Sequence, residues 1–381
     1  MKKIFGTLAL LLTVLAICFA PVRCLAQEME NDPEHDKAVI ELLTTLRVPD
    51  RMRFAFDLLS KEQSESKALY AHVATRTSDA DIARMHLPVY IPLVTTKEAV
   101  AMTAAFRTDA GQAFLLRELD YVRVGGTPAL PRDNAGMKKF LTAGWGKKYR
   151  DLMQRATRVG VQPVIEQLSE YHLGLFVDGL NEITAHLDAQ TGADAKTPPT
   201  TLVPSLTGIS YIDAMLLLTA DWALKNAKAQ WKLSEELPAL GADWLVAPET
   251  LVTPKKLTAA RAALPAYVAR IERYVSEMDA LTNDYEAKIK AVQAPRKEDF
   301  QEVYQISIDA QREWNTSTAK NQRALFDVMR RIVEFADARK GKIGILKGGI
   351  YFSDAADLAT YNVLVAETVR LFEEQVAKPK E

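Results

Sequence analysis

Apolar residues recur along most of the chain at intervals of three and four, the spacing that places them on one face of an α-helix. Few stretches show the strict alternation of a strand, so the pattern predicts an all-α fold. Two short helices are expected between Asp36 and Leu59, separated at Val48-Pro49-Asp50, because proline disfavours a helical residue before it. A longer helical segment is expected over 137–187, with a bend near Gly160 and Pro163.

The strongest periodicity of the chain begins at Leu264. Its intervals alternate four and three without a skip, which is the 3.5-residue coiled-coil repeat of a helix that packs one narrow seam against another helix. A second stripe with similar spacing runs from Phe300 to Phe335 after Pro295. We therefore predict a long antiparallel helical hairpin over 256–340. The residues of the first stripe are Leu264, Val268, Ile271, Val275, Met278, Thr282, Tyr285, Ile289 and Val292.

Polar residues interrupt the second stripe at Ser307, Ser317 and Asn321. A polar residue in such a seam selects one alignment of the two helices at some cost in stability, so fixing the register is the expected role. The alternative is that these side chains line a small cavity.

A segment without apolar periodicity separates the two halves of the chain. It covers 191–201 and includes Pro198-Pro199, which is typical of a linker. We predict an N-terminal helical domain over 27–190 and a C-terminal helical domain over 202–381 that contains the hairpin. Near the end, Lys347-Gly348-Gly349 lies between two short apolar runs, as in a small β-hairpin.

The first 26 residues are typical of a cleavable secretory signal. Met1-Lys2-Lys3 is basic, the run from Ile4 to Ala20 is apolar, and small residues precede the predicted cleavage after Ala26. The mature protein is therefore expected to be periplasmic or otherwise exported. Two alternatives stay open, lipid attachment at Cys18 or Cys24 and a retained anchor helix, although neither cysteine follows the small residue that lipid attachment requires.

The amino-acid composition and charge of the mature chain exclude some kinds of binding partner. Loss of the signal removes both cysteines and three basic residues, so the formal net charge falls from −1 to −4 and no disulfide can form. With 48% apolar residues, the chain can still bury a large core. No run of lysine and arginine is longer than a pair, such as Lys138-Lys139 or Lys147-Lys148, so we predict no nucleic-acid partner. We also predict no stable membrane insertion after signal removal.

Candidate chemistry is sparse. Among the five histidines, only His186 has a carboxylate, Glu182, at the i, i+4 spacing that lets two donors on one helix face reach an ion. His172 lies near Glu166 and Glu170 with less suitable spacing. A solvent-facing pair accounts for the same spacing, so we predict no metal site and no cofactor. His172, Glu182 and His186 are the weak candidates for metal ligands.

The chain has no Gly-x-Ser-x-Gly nucleophile elbow, no phosphate loop and no dinucleotide fingerprint, and no residue is assigned a catalytic role. The sequence therefore favours a non-enzymatic binding or protein-interaction role in the cell envelope, with an envelope protein or a small ligand as the partner. The alternatives are a helical hydrolase-like enzyme that uses carboxylates or histidine, and a protein that binds a small molecule in the space between its helices.

Two segments in the first half resemble a known family. Residues 87–98 and 106–115 are similar to a bacterial family of exported helical proteins known as a domain of unknown function. Its members show a tyrosine followed by a Thr/Ser-Glu-Glu helix start and then Phe-Tyr-x-Ser-Pro-x-Gly-x-Lys. Phe106 and Gly111 stand at the family's positions, and the resemblance covers about residues 36–120.

The chain departs from that motif at several positions. Arg107 replaces the second aromatic residue, Thr108-Asp109 replaces Ser-Pro, and Ala113 stands near the place of the lysine. The resemblance implies a helical fold and an envelope location, and it brings no activity and no catalytic residues.

Overall fold

The computed structural model describes residues 32–61, 66–124, 135–191, 197–241, 244–295, 297–346 and 349–376. Across these ranges the chain forms fifteen α-helices and one two-stranded antiparallel sheet, so the predicted all-α class is confirmed. Within them, no helix combines the length and the apolar character that crossing a bilayer requires. The predicted signal peptide lies outside the described residues.

The first ten helices, and the 3-10 turn Ile91–Leu93 between the fifth and the sixth, precede the segment 192–209. They are α1 (Pro33–Thr45), α2 (Val48–Leu59), α3 (Lys67–Arg76), α4 (Asp79–Met85), α5 (Leu87–Tyr90), α6 (Thr96–Phe106), α7 (Asp109–Val124), α8 (Ala135–Thr142), α9 (Trp145–Val159) and α10 (Gln162–Thr191). The second half contains α11 (Ser210–Leu240), α12 (Pro248–Val252), α13 (Pro254–Ala291), α14 (Lys297–Asp337), β1 (Ile343–Leu346), β2 (Gly349–Phe352) and α15 (Ala355–Val376).

The expected break in the first helical segment is present. It falls at Leu46 and Arg47, the latter in the left-handed region with φ of 58°. Pro49 lies just after the break, in the first turn of α2, where its missing N–H removes no helical hydrogen bond. At α6, Thr95 and Glu98 form a capping box that satisfies backbone donors at the start of the helix.

The prediction of a single bent helix over 137–187 is wrong, because the structure divides this segment into α8, α9 and α10. Gly144 and Gly160 separate them, with φ of 77° and 88°, a backbone conformation that glycine adopts without steric cost. The expected bend near Gly160 is therefore a complete helix end, and Pro163 lies in the first turn of the helix that follows.

Three clusters of buried apolar residues hold the helices together. The amino-terminal cluster lies among α1 to α9, and the carboxyl-terminal cluster joins the end of α11 to α13, α14 and α15. The central cluster draws residues from both sides of the segment 191–201, with Val73 and Phe176 on one side and Met215 and Tyr285 on the other. The division into two domains stays a prediction.

The predicted antiparallel hairpin is formed by α13 and α14. These helices have 38 and 41 residues, so each is about 60 Å long at 1.5 Å per residue. Contacts pair the start of one helix with the end of the other, as in the ion pair of 3.4 Å between Arg261 and Asp337. The small β-hairpin follows α14, with Ile345 opposite Ile350.

The buried stripe of α14 differs from the predicted one in the middle of the helix. Ser317 is exposed and Asn321 is only half-buried, whereas Gln311, Asn315 and Thr318 are buried. A strict 3.5-residue repeat drifts around a straight helix of 3.6 residues per turn by about 20° per heptad. Over the length of α14 this drift moves the buried face to neighbouring residues, so the predicted role of Ser317 in the seam is wrong.

Helices α10 and α11 approach closely at Gly179. A Cβ atom there would lie 2.5 Å from Cδ2 of Leu216, a fully buried side chain. We expect Gly179→Ala to lower the free energy of unfolding by about 1 kcal/mol, because overpacking of roughly 1–3 kcal/mol exceeds the gain in helix propensity. Gly174→Ala is the control on the same helix, since a Cβ there meets nothing within 4 Å.

Denaturant unfolding of the two variants measures the difference. Gly174→Ala should stabilise the protein by about 1 kcal/mol through helix propensity. Equal changes in both variants would show that the Gly179 contact does not limit the distance between the helices.

Candidate functional site

The three candidate residues of the sequence all lie on α10, but the structure does not bring them together. Glu182 accepts hydrogen bonds from the Ser205 hydroxyl at 2.8 Å and the Ser205 backbone N–H at 3.1 Å, which hold the pKa of its carboxyl below the usual value. His186 is exposed one turn later. His172 is buried ten residues before Glu182, about 15 Å along the helix.

Glu182 therefore anchors the connection between α10 and α11. Throughout the described ranges, no group of three or more His, Cys, Asp or Glu side chains is arranged to hold a metal ion.

His172 belongs to a buried aromatic cluster. The Tyr211 hydroxyl forms a hydrogen bond with Nε2 of its ring, and the Phe300 ring lies 5.9 Å away between centroids. Burial, with a smaller contribution from the charge of nearby His72, lowers the pKa of His172 to about 4. The imidazole is therefore neutral at pH 7 and accepts a proton only in acid.

His72, on α3, is the functional candidate that sequence reasoning did not single out. Its Nδ1–H donates to the Thr207 carbonyl at 3.0 Å, and the Tyr171 hydroxyl lies 3.5 Å from its Nε2. Burial lowers its pKa as well. The signal in the sequence is faint, because His72 and His172 are 100 residues apart and only the packing of α3 on α10 brings them near each other.

A groove with a volume of about 290 Å³ lies between α13 and α14, near the middle of the hairpin. The sequence accounts for it: residues 315–321, Asn-Thr-Ser-Thr-Ala-Lys-Asn, carry no large apolar side chain, so this part of α14 cannot fill the space beside α13. On α13, Val268 and Val275 belong to the predicted seam but stay half-buried and line the groove.

The groove has apolar and polar walls. Besides the two valines, Ile271 and Phe326 supply apolar surface. The polar lining includes Glu272 and Asp279 on α13 and Gln322 and Arg323 on α14. Arg323 Nε lies 3.6 Å from a carboxylate oxygen of Glu272.

A buried polar layer supports the groove from behind. The Gln311 amide donates to the Asn315 side-chain oxygen at 2.8 Å, and the Asn315 amide donates to Asp279 Oδ1 at 2.7 Å. These bonds fix the Asp279 carboxylate at the edge of the groove. On the other side of α13, buried Arg270 pairs with Glu236 of α11.

Asn226 on α11 is fully buried, and neither polar atom of its amide has a hydrogen-bond partner among the described residues. An unpaired buried amide costs about 1–3 kcal/mol, so we expect Asn226→Leu to raise the free energy of unfolding by roughly that amount. Thermal unfolding checks the sign.

Thr219→Val is the contrasting variant, two turns earlier on the same helix. The Thr219 hydroxyl lies 2.8 Å from the Tyr285 hydroxyl, so its loss leaves a buried phenol unpaired and should destabilise the protein by about 1–3 kcal/mol. Destabilisation by Asn226→Leu would mean that the Asn226 amide is paired in solution.

Comparison of the chain with protein-family models, with curated proteins and with solved structures finds no match. The geometry of the groove and of the histidine cluster is therefore the basis for assigning a function.

Proposed function

We propose that the protein is a non-enzymatic binding protein of the cell envelope that holds a small ligand in the groove between α13 and α14. The observation that carries the proposal is the groove itself, with apolar residues lining much of it and a few polar groups at defined positions. This combination is typical of small-molecule sites, in which apolar walls supply affinity and a small number of polar groups orient the ligand.

The volume favours a small molecule. An apolar cavity of about 150 Å³ holds a benzene molecule. The groove, at about 290 Å³, is nearly twice as large and suits a compact organic molecule. A stable protein partner would instead bury about 800 Å² on each side, so the envelope-protein alternative requires a surface larger than this groove.

The envelope location rests on the amino-terminal sequence. The basic, apolar and small-residue segments of residues 1–26 support export. The resemblance of residues 36–120 to an exported helical family agrees with it. Both stay predictions, which detection of the mature chain in periplasmic extracts would test.

The enzyme alternative depends on the histidine cluster, where His72 and His172 lie beside Tyr171 and Tyr211. A general base works best when its pKa is near the operating pH. The pKa of His172, about 4, makes its imidazole a poor base at pH 7. Both rings are also buried, which is why binding at the groove is the stronger proposal.

A variant that fills the groove tests the proposal. Val275 is half-buried in the groove wall, so Val275→Trp should occupy the space without disturbing the packed core. We expect 2-phenylethanol, a neutral probe of suitable size, to bind the wild type and to lose at least tenfold in affinity in this variant, about 1.4 kcal/mol. Saturation-transfer NMR and calorimetry measure the binding.

Ala266→Trp is the matched control, because Ala266 is exposed on the same helix and does not line the groove. It should bind the probe as the wild type does. Equal affinity for the probe in Val275→Trp and the wild type, or the absence of binding in both, would refute the proposed site.

A further inference from the structure

The side chains that line the groove carry more negative than positive charge. Two carboxylates, of Glu272 and Asp279, line it together with one guanidinium group, of Arg323. Arg323 is engaged with Glu272. In contrast, Asp279 forms no ion pair with a described lysine or arginine, and its Oδ1 accepts a hydrogen bond from the neutral Asn315 amide. One negative charge at the groove is thus left without a cation.

The Asp279 carboxylate is also held in place. Asn315, which donates to its Oδ1, is itself buried and accepts from Gln311. A carboxylate held in this way by a buried amide chain presents a fixed acceptor to a ligand, so less conformational entropy is lost when the ligand binds.

Apolar surface lies next to this charge. Val275 is one helical turn before Asp279 on α13, and Ile271 is two turns before it. Phe326 contributes from α14. A molecule that lies along α13 can therefore place an apolar body against these side chains and a donor group at Asp279.

We infer that the ligand is a small amphiphilic cation, an ammonium group attached to an apolar body of about the size of one aromatic ring. The inference rests on the proposed binding function and adds the charge of the ligand. The ammonium donates to Asp279, while the apolar body displaces water from Val275, Ile271 and Phe326.

Three probes that share one apolar body separate charge from shape. They are 2-phenylethylamine, which is a cation at pH 7, neutral 2-phenylethanol, and the phenylacetate anion. Titration of the full chain by calorimetry at low salt should give the order amine, alcohol, anion. We expect about a threefold to fivefold preference for the amine over the alcohol, the size of a solvent-exposed ion pair, and a smaller preference at 1 M salt.

Asp279→Asn tests the assigned residue, because it removes the charge and keeps an oxygen that can accept from Asn315. The preference for the amine should disappear, while the affinity for the alcohol stays unchanged. Asp284→Asn is the control, a carboxylate on the same helix that pairs with Lys288 at 2.7 Å and does not line the groove. It should retain the preference.

The outcomes distinguish the two proposals. If all three probes bind equally and Val275→Trp abolishes their binding, the groove is a ligand site and the inferred charge is wrong. Tighter binding of the anion would also overturn the inference. If no probe binds, or if Val275→Trp has no effect, the proposed function itself fails.

Discussion

Acidification from pH 7 to pH 4 is expected to lower the free energy of unfolding by about 3 kcal/mol through His172 alone. The folded protein holds the pKa of this residue at about 4, against 6.5 for an accessible histidine, chiefly because burial disfavours the charged ring. Each unit of difference corresponds to about 1.4 kcal/mol. The unfolded chain binds the proton first, so stability is fully present above pH 6.5 and falls as the pH drops towards 4.

Urea unfolding between pH 7 and pH 4 measures this loss. His172→Gln retains a polar group beside Tyr211 but cannot titrate, so its stability should depend less steeply on pH than that of the wild type. His186→Gln changes an exposed histidine on the same helix and should keep the wild-type pH dependence. If the free energy of unfolding depends on pH equally steeply in His172→Gln and in the wild type, the pKa of His172 is not lowered by folding.

Truncation of Phe300 to alanine should lower the free energy of unfolding by about 3–5 kcal/mol, a larger loss than substitution of an exposed side chain on the same helix. Its side chain is 2% exposed. Its ring lies 5.8 Å from Phe176, 5.9 Å from His172 and 6.0 Å from Tyr211, between centroids. Because these partners lie on α10 and α11, the ring fastens the start of α14 to both helices, and its loss leaves a cavity between three elements.

Ile306→Ala is the control for this prediction, since Ile306 lies on the same helix with 46% of its surface exposed. It should change the stability by about 0.5 kcal/mol or less. Chemical denaturation gives both values. Similar losses of stability in the two variants would mean that the Phe300 side chain does not hold α14 against α10 and α11.

Local signals in the sequence predict much of the secondary structure. Thr95 and Glu98 specify the start of α6 because a cap depends on residues three apart. The regular stripe that begins at Leu264 likewise predicts the hairpin, because the repeat itself identifies a helix with a partner. A helix cap and an apolar repeat can both be recognised from residues within a few turns of one helix.

The ends of helices were less predictable. Gly144 and Gly160 each adopt positive φ and end the helix before them, yet a single glycine is also tolerated within a helix. Whether a helix continues through glycine depends on what its flanking faces pack against, which the local sequence does not state.

The groove and the histidine cluster depend on contacts between distant segments. The stretch 315–321 lacks the large side chains that would fill the space beside Val275, but the drift of the buried stripe along α14 decides which residues of that stretch face α13. His72 and His172 likewise approach each other only because α3 packs near α10 and Thr207 holds His72. No spacing in the sequence encodes that approach.

Hydrogen exchange of the full chain, measured by mass spectrometry with and without saturating 2-phenylethylamine, tests the central claim most directly. If the ligand lies in the groove, slower exchange should be concentrated in peptides that cover 267–279 and 319–326, the two walls. Peptides of α3 and α10 around His72 and His172 should be unchanged. Protection at the histidine cluster, with none along α13 and α14, would contradict the account.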